Sequence, residues 1–356
     1  MKKTEIIENI KSILTELISF PTYYKNDQAF IDLFEYIKTN VKDNLFVEEK
    51  IINYDNHDNY NLIISNTQSK DLDLIFCCHV DVIPDRKYAA VIKDNKLYGR
   101  GAIDMKGQIA VILELLKNEN SSKKIALILT SDEEVGGFCC KEIIKDYQSK
   151  LAILPDGGNN FDLIIEEKGV LQLEITSKGI SSHGSEPFNG DNAIVKLIKL
   201  YDDLITKYPI PNNNNEFKLS ITLSKLHGGD ANNKVPDKAI MNLDIRYTKE
   251  DNIEEFIKYI TNYSKDISVK ILDLEPVFYV DKDNPLIKDF INNCSIILGK
   301  EPNITKCCAG SDAPYFKEKE IPVIIMNPKG KNWHSPNEYV EIDSLYTLYE
   351  IFKTML

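Results

Sequence analysis

Histidine and carboxylate side chains follow several apolar runs in the first half of this chain. In chain order they are His79, Asp81, Asp104, Glu133 and Glu134. Only five histidines occur among 356 residues, so the position of each one carries information. Imidazole nitrogens and carboxylate oxygens are the ligands that hard and borderline divalent cations prefer in hydrolytic sites. The first hypothesis is therefore a metal-dependent hydrolase.

His79 and Asp81 are two residues apart at the end of a strand-like run, 71–82. Strand alternation points both side chains to the same side. A ligating histidine usually donates its second ring N–H to a carboxylate, and Asp81 could accept it from His79. The alternative is a core histidine with satisfied hydrogen bonds, and this pair alone does not decide between the two.

Each of the other acids also has an ordinary structural explanation. Asp104 follows Gly99 and Gly101 and could be a metal ligand, a helix N-cap, or both. Glu133 and Glu134 follow the apolar run 124–130, where one could bind metal while the other acts as a base. The alternative for the two glutamates is a solvated acidic turn.

Two later residues complete the set. Asp156 lies in the turn-forming sequence 155–158, and His334 follows the apolar run 321–326. Alone, they indicate only a turn residue and a loop histidine. Most of the candidates follow predicted parallel strands, however, and such side chains converge at the carboxyl edge of an α/β sheet.

The order of predicted elements indicates two domains. Apolar strands alternate with helices over residues 1–167 and again over 277–356, which predicts an α/β domain with a mostly parallel sheet and helices on both faces. Residues 168–276 show strand, helix, strand, strand, helix, strand, which predicts an inserted α+β domain of the ferredoxin-like, split βαβ type. Within it, the asparagine run 212–215 is predicted to be a solvated loop.

Composition narrows the class of protein. The net charge of −12 argues against nucleic acid or an anionic membrane as the main partner, because both need a basic surface. No run approaches the eighteen or so apolar residues of a membrane span, and the N-terminus has helical periodicity instead of a signal peptide. Six of the seven cysteines form adjacent pairs that suit neither disulfides nor a CxxC zinc site. We expect small buried thiols in a cytoplasmic protein.

A series of motifs carries a family resemblance over nearly the whole chain. In order they are HVDV at 79–82, GRGAIDMKG at 99–107, TSDEEVGG at 130–137, NKVPDKAIMNLDIR at 233–246, AGSDAPYF at 309–316 and HSPNEYVE at 334–341. The chain thereby resembles the co-catalytic zinc exopeptidases and deacylases, the family of acetylornithine deacetylase, succinyl-diaminopimelate desuccinylase, glutamate carboxypeptidase and the aminoacylases.

The resemblance implies two metal ions, Zn²⁺ with Co²⁺ as a possible substitute. It assigns one ion to His79, Asp104 and Asp156, and the other to Asp104, Glu134 and His334, with Asp104 bridging. Glu133 would be the general base for a metal-activated water, and Asp81 would orient His79. His183, in the inserted domain, would stabilise the oxyanion from its own or a partner subunit; otherwise it is a surface-loop histidine.

Substrate recognition is predicted from arginine chemistry. Arg246 can grip a carboxylate in a bidentate manner, with Asn233 beside it and Gly310 and Ser311 offering backbone contacts. The alternative for Arg246 is a surface ion pair. We expect a small N-acyl amino acid or a short peptide with a free carboxylate as substrate, and a homodimer formed through the inserted lid domain.

The sequence is consistent with three functional hypotheses. A deacylase like acetylornithine deacetylase or succinyl-diaminopimelate desuccinylase is the first. A dipeptidase or carboxypeptidase of the same family is its near rival, since Asp156 fits the peptidase-like members as well. A non-catalytic binding protein on this fold is the distant alternative, which loss of Glu133 or of a metal ligand would mark; none is lost.

Overall fold

The computed structural model describes residues 2–213 and 216–356, so two of the four asparagines of the run 212–215 lie outside the described residues. The helices of the described part are α1 (Lys3–Ser19), α2 (Asp27–Asn40), α3 (Lys106–Asn118), α4 (Phe138–Ile144), α5 (Ala193–Lys207), α6 (Ile253–Thr261), α7 (Pro285–Leu298), α8 (Ala313–Lys317) and α9 (Ile342–Lys353).

The strands of the described part are β1 (Phe46–Tyr54), β2 (His57–Ser65), β3 (Asp71–Leu72), β4 (Leu74–His79), β5 (Val91–Lys93), β6 (Lys96–Tyr98), β7 (Ile125–Thr130), β8 (Gln148–Ser149), β9 (Ala152–Ile153), β10 (Leu163–Glu167), β11 (Gly169–Lys178), β12 (Ser220–Gly228), β13 (Lys238–Tyr247), β14 (Ile267–Glu275), β15 (Phe278–Tyr279), β16 (Ile304–Cys307), β17 (Val323–Ile324), β18 (Gly330–Lys331) and β19 (Tyr339–Glu341).

The chain divides into two compact units. The first unit comprises residues 1–165, 280–307 and 311–356. The second unit comprises residues 166–279 with the short segment 308–310. The first unit is thus built from segments on both sides of the second.

A six-stranded mixed sheet forms the centre of the first unit, in the order β1-β2-β7-β4-β9-β17. Strands β7, β4, β9 and β17 are parallel, whereas β1 and β2 join the sheet antiparallel. Every residue of β4 and β7 is buried, as expected for parallel strands covered on both faces. The predicted α/β class with a mostly parallel sheet is confirmed.

The two faces of the sheet can be traced from adjacent cysteines of β4. Cys78 belongs to the core cluster that contains the buried faces of α1, α3 and α9. Cys77 points the opposite way, and its Sγ lies 3.7 Å from Sγ of Cys140 in α4. Helices therefore cover both faces, and the strand ends between them form the edge that carries the candidate ligands.

Strand β1 was not predicted from the sequence, and neither was the start of β2 at His57. Strands β1 and β2 form a hairpin in which Tyr54 pairs with His57 across Asp55 and Asn56. These two turn residues have φ of 52° and 57°, the left-handed conformation of a two-residue type I′ turn. Strand β1 lies at the sheet edge and is largely exposed, so its side chains lack the apolar alternation that reveals a half-buried strand.

The second unit has the strand and helix order β11, α5, β12, β13, α6, β14. Its four-stranded antiparallel sheet has the order β12-β13-β11-β14, so the first and third strands are central and the second and fourth are at the edges. This is the split βαβ arrangement. Asn192 and Asn252 cap the two helices through their side-chain oxygens.

No helix in the described ranges combines the length and the apolar character that crossing a membrane requires.

A buried lysine links α1 to the start of α3. Lys106 is 0% exposed, and its Nζ donates to the carbonyl oxygens of Leu17 at 2.9 Å and Phe20 at 2.8 Å. These are acceptors at the C-terminal end of α1, where carbonyl groups lack partners within the helix. Burial lowers the pKa of Lys106 to about 7.

We expect Lys106 to make stability depend on pH. In the unfolded chain the pKa of a lysine is about 10.4, so between about pH 7 and 10 the unfolded chain binds a proton that the folded chain does not. The contribution of Lys106 to stability therefore rises with pH across this window and is smallest below it. Relative to Lys106→Met, the wild type should gain up to about 1.4 kcal/mol per pH unit.

Urea unfolding at about pH 7 and pH 9, with a chelator present at both, measures this difference. Replacement of an exposed lysine, Lys93→Met, is the matched control. A difference between wild type and Lys106→Met that stays constant or shrinks with rising pH would contradict the expectation.

Candidate metal centre

His79 is the last residue of β4 and is almost completely buried. Its Nδ1 lies 3.0 Å from the backbone carbonyl oxygen of Asp81, to which it can only donate. This hydrogen bond leaves the lone pair on Nε2. That atom faces two carboxylates, with Asp104 Oδ1 at 3.1 Å and Asp156 Oδ2 at 3.9 Å.

Asp104 connects two groups of candidate ligands. Its Oδ1 lies 3.1 Å from His79 Nε2, and its Oδ2 lies 3.1 Å from His334 Nε2. His334 Nε2 is also 3.0 Å from Glu134 Oε2. The structure therefore brings together the two predicted sets, one of His79, Asp104 and Asp156 and one of Asp104, Glu134 and His334, each with its ligand atoms within 4.8 Å of one another.

The spacing of these atoms fits divalent cations. Two ligands at about 2.1 Å from a tetrahedral ion lie about 3.4 Å apart, and the observed nitrogen-to-oxygen separations of 3.0–3.9 Å bracket that value. A neutral His79 would direct its Nε2 lone pair at carboxylate oxygens, because its Nδ1–H donates to the Asp81 carbonyl. A proton or a metal cation therefore has to lie between His79 Nε2 and these oxygens.

The pKa values of the two histidines reflect this need. Hydrogen bonds with Asp104 and Glu134 raise the pKa of His334 to about 10. Burial lowers the pKa of His79, but hydrogen bonds with Asp104, Asp156 and Asp81 outweigh it, and the net shift is upward. Both shifts favour the protonated rings, and a bound metal ion would replace these protons.

Asp81 holds the turn that carries both glutamates. Its carboxylate accepts hydrogen bonds from the backbone N–H of Glu133 at 3.3 Å and of Glu134 at 2.9 Å. The same carboxylate is 3.5 Å from His79 Nδ1, so the shorter hydrogen bond to that ring comes from the Asp81 carbonyl. The predicted orientation of His79 by Asp81 thus involves the backbone as well as the side chain.

Glu133 begins a short 3₁₀ turn, Glu133–Val135, just after β7. Burial raises the pKa of Glu133 well above its usual value, and the negative charge of Asp156 adds to that shift. A glutamate in these surroundings takes up and retains a proton more readily than an exposed one.

Glu338 has no role that could be predicted from the sequence, although the motif at 334–341 contains it. Glu338 is 2% exposed, and its Oε1 accepts from the backbone N–H of Ile103 at 3.1 Å and of Asp104 at 3.3 Å. Its Oε2 accepts from Arg100 at 2.8 Å. Because Glu338 follows His334 by four residues, it ties the segment after His334 to the loop of Asp104.

The residues predicted to contact substrate lie mostly in the second unit. His183 is exposed, and its Nδ1 is 2.7 Å from Ser185 Oγ. Asn233 is its neighbour, since the N–H of Gly184 donates to the Asn233 carbonyl at 2.6 Å. The structure therefore brings His183 and Asn233 together.

Arg246 lies apart from His183 and Asn233. Asn233 precedes β13 and Arg246 is near its other end, and eight residues of strand between Lys238 and Arg246 correspond to roughly 26 Å. The Arg246 guanidinium pairs with Asp244, through Nε at 2.9 Å and Nη2 at 3.2 Å.

The two remaining predicted residues fall on either side of a unit boundary. Gly310 is in the second unit, where a Cβ at its position would lie 3.8 Å from the Lys168 carbonyl oxygen. Ser311 is in the first unit, and its Oγ accepts from the N–H of Ala313 at 3.2 Å, at the start of α8.

Comparison with known proteins agrees with this geometry. The model of the family described as Peptidase family M20/M25/M40 matches residues 75–356. A LysW-lysine/LysW-ornithine hydrolase from Sulfurisphaera tokodaii is 28% identical over 344 residues, covering 95% of this chain and 92% of that protein. A succinyl-diaminopimelate desuccinylase from a Sulfurovum species is 24% identical over 367 residues, covering 97% of both.

A solved structure shares the fold. A tripeptidase from Staphylococcus aureus superposes with a TM-score of 0.80 and 20% sequence identity, covering 98% of both chains. The family match, which covers most of the chain, and the two groups of metal-ligating side chains lead to one conclusion. The chain belongs to Peptidase family M20/M25/M40 and is a metal-dependent hydrolase, a deacylase or a peptidase.

Proposed function

We propose that this chain hydrolyses the amide bond of a small N-acyl amino acid that carries a free carboxylate. The observation that carries the proposal is the pair of ligand groups that share Asp104, with Glu133 beside them. The names of the two relatives, which act on LysW-lysine or LysW-ornithine and on a succinyl amide, support a deacylase. A dipeptidase or carboxypeptidase activity is the second candidate, which the fold shared with a tripeptidase favours.

Two divalent cations, zinc with cobalt as a substitute, complete the proposed site. His79, Asp104 and Asp156 would hold one, and Asp104, Glu134 and His334 the other. Nitrogen and oxygen donors of this kind suit zinc. When bound, such ions lower the pKa of water toward 7 and polarise the amide carbonyl.

Glu133 is the proposed general base. Its carboxylate removes a proton from the attacking water and then delivers that proton to the leaving amide nitrogen. Burial, which disfavours the charged carboxylate, helps Glu133 to retain the proton between the two steps. Asp81 restricts the backbone of Glu133 through the hydrogen bond to its N–H, which limits how far the base can move.

His183 and Arg246 are the proposed oxyanion and carboxylate partners. His183 pairs with Lys234 ahead of β13, and the strand from Lys238 to Arg246 is itself roughly 26 Å long, which is too long for one small substrate to contact both side chains in the same copy. We therefore propose a homodimer in which His183 and Asn233 serve the partner subunit. Strand β12, an edge strand, and the exposed apolar residues Val195 and Ile198 of α5 would supply the interface.

We further propose a cytoplasmic location, on the basis of the free thiols. Cys78, Cys139 and Cys294 are buried free thiols, and such cysteines suit a reducing compartment.

The first prediction concerns Glu133. Glu133→Gln should lower kcat by about 10²–10⁴-fold with little change in KM, because the amide cannot accept the proton. Its metal content, measured by inductively coupled plasma mass spectrometry, should match the wild type. The neighbouring variant Glu134→Gln is the matched control and should lose metal. Wild-type turnover in Glu133→Gln would remove Glu133 from the role of base.

A second prediction concerns Arg246. Arg246→Ala should raise KM about 10–100-fold for an N-acyl amino acid, as expected when a charge-assisted hydrogen-bonded pair is lost. The same substrate with a carboxamide in place of the carboxylate should show no such difference between the two enzymes. Equal KM values of wild type and variant for the acid would exclude a carboxylate contact at Arg246.

A third prediction tests the dimer by subunit mixing. Glu133→Gln and His183→Ala should each be nearly inactive alone. After the two are unfolded together and refolded, a mixed dimer has one site with a wild-type Glu133 and, from the partner, a wild-type His183. Activity should therefore reappear. If mixing restores nothing although mixed dimers are detected by native mass spectrometry, His183 acts within its own subunit or not at all.

A further inference from the structure

A second kind of ligand cluster lies in the first unit, apart from the histidines and carboxylates described above. It consists of Cys77, Cys140 and Asp312, whose sulfur and oxygen atoms all lie within 4.8 Å of one another. The two Sγ atoms are 3.7 Å apart. All three residues are buried, with exposures of 2%, 1% and 6%.

Three separate elements bring these side chains together. Cys77 is in β4 and points to the face that α4 covers, whereas its neighbour Cys78 joins the core on the other face. Cys140 is in α4, and Asp312 directly precedes α8. The three ligands are therefore distant in sequence, and they lack the CxxC spacing that would indicate a metal site.

The backbone at Gly137 leaves a defined space for the carboxylate of Asp312. A Cβ at Gly137 would lie 2.2 Å from Asp312 Oδ1, closer than real atoms approach, and the φ of Gly137 is +65°. Only glycine meets both conditions without strain. The turn before α4 thus leaves space for the Asp312 carboxylate next to the two thiols.

Burial and neighbouring acidic groups disfavour the charged form of Asp312. Burial raises the pKa of Asp312 well above its usual value, and Cys77, Asp132 and Asp156 add to the rise while His79 opposes it. Burial likewise raises the pKa of Cys140. A cation that binds these side chains therefore has to displace their protons, because thiol and carboxyl groups coordinate a metal ion in the deprotonated form.

We propose that Cys77, Cys140 and Asp312 bind one thiophilic divalent cation of the zinc class, separate from the cations of the hydrolytic centre. At a zinc–sulfur distance of about 2.3 Å, two thiolates of a tetrahedral site are about 3.8 Å apart, close to the observed 3.7 Å. Binding releases the two thiol protons, and a proton from Asp312 where it holds one, and forms two metal–sulfur bonds and one metal–oxygen bond.

A buried polar side chain lies on the neighbouring strand. Thr130 pairs with His79 in the parallel register of β4 and β7, so its side chain is on the same face as Cys77. Its buried hydroxyl has no hydrogen-bond partner among the described residues. The bound ion would tie β4, which ends at His79, to α4, which follows the glutamate turn, and so act as a structural staple.

X-ray absorption at the zinc edge tests the proposal on the protein purified from zinc-supplemented cells. The hydrolytic ligands are all nitrogen or oxygen donors at about 2.0–2.2 Å, so sulfur scattering at about 2.3 Å reports only on a thiolate site. We expect three zinc ions per chain, about one third of them with sulfur neighbours. The double variant Cys77→Ala/Cys140→Ala should hold two and lose the sulfur signal.

The adjacent cysteines provide the matched control, since Cys78→Ala/Cys139→Ala should retain three ions and the sulfur signal. Two ions per chain without sulfur in the wild type would overturn the proposal. So would a sulfur signal that survives in Cys77→Ala/Cys140→Ala, which would point to the exposed Cys308. A disulfide between Cys77 and Cys140, found by peptide mass spectrometry without reduction, would overturn it as well.

Alkylation of the wild type removes any dependence on how the double variant folds. With zinc bound, Cys77 and Cys140 should be alkylated in mild denaturant only after a chelator is added, whereas the buried Cys294 should react equally with and without it. Equal reactivity of all three cysteines would contradict the proposal. Failure of the hydrolytic centre is distinguishable, because it removes the nitrogen- and oxygen-bound ions and leaves the sulfur-bound one.

Discussion

The crowding of negative charge at one edge of the central sheet is the constraint on which this structure depends. Asp104 contributes one oxygen to each of two histidines, and Asp156 and Glu134 lie against the same rings. Two like charges about 4 Å apart repel by about 4 kcal/mol at the effective dielectric constant near a protein surface. Divalent cations placed between these carboxylates replace the repulsion with attraction. The arrangement is therefore better suited to binding metal than to stabilising a protein core.

Backbone hydrogen bonds hold the ligands in place before any cation binds. Asp81 accepts from two successive N–H groups of the glutamate turn, and Glu338 accepts from the N–H of Asp104. Both carboxylates are buried and make charge-assisted hydrogen bonds, which are stronger and more directional than neutral ones. These two carboxylates thus fix main-chain positions, and the main chain in turn positions the ligand side chains.

The candidate metal ligands could be predicted from the sequence more completely than the residues that surround them. His79, Glu134 and Asp156 follow parallel strands, and strand ends of one sheet meet at one edge, so a local pattern sufficed to place them together. Glu338 and Arg100 were missed because a hydrogen bond between positions 238 residues apart leaves no local pattern. The contact between Cys77 and Cys140, which are 63 residues apart, was missed for the same reason. Strand β1 was not predicted because an exposed edge strand has no apolar alternation.

The discontinuity of the first unit has a consequence for synthesis on the ribosome. His79, Asp104 and Asp156 are all synthesised before any residue of the second unit, whereas His334 is synthesised only after that unit is complete. A nascent chain can therefore assemble one ligand group early, but the other waits until His334 has been made. Until then Asp104 has one of its two imidazole partners, and a chain cut short in translation retains a metal-ligating group without the ability to complete the pair.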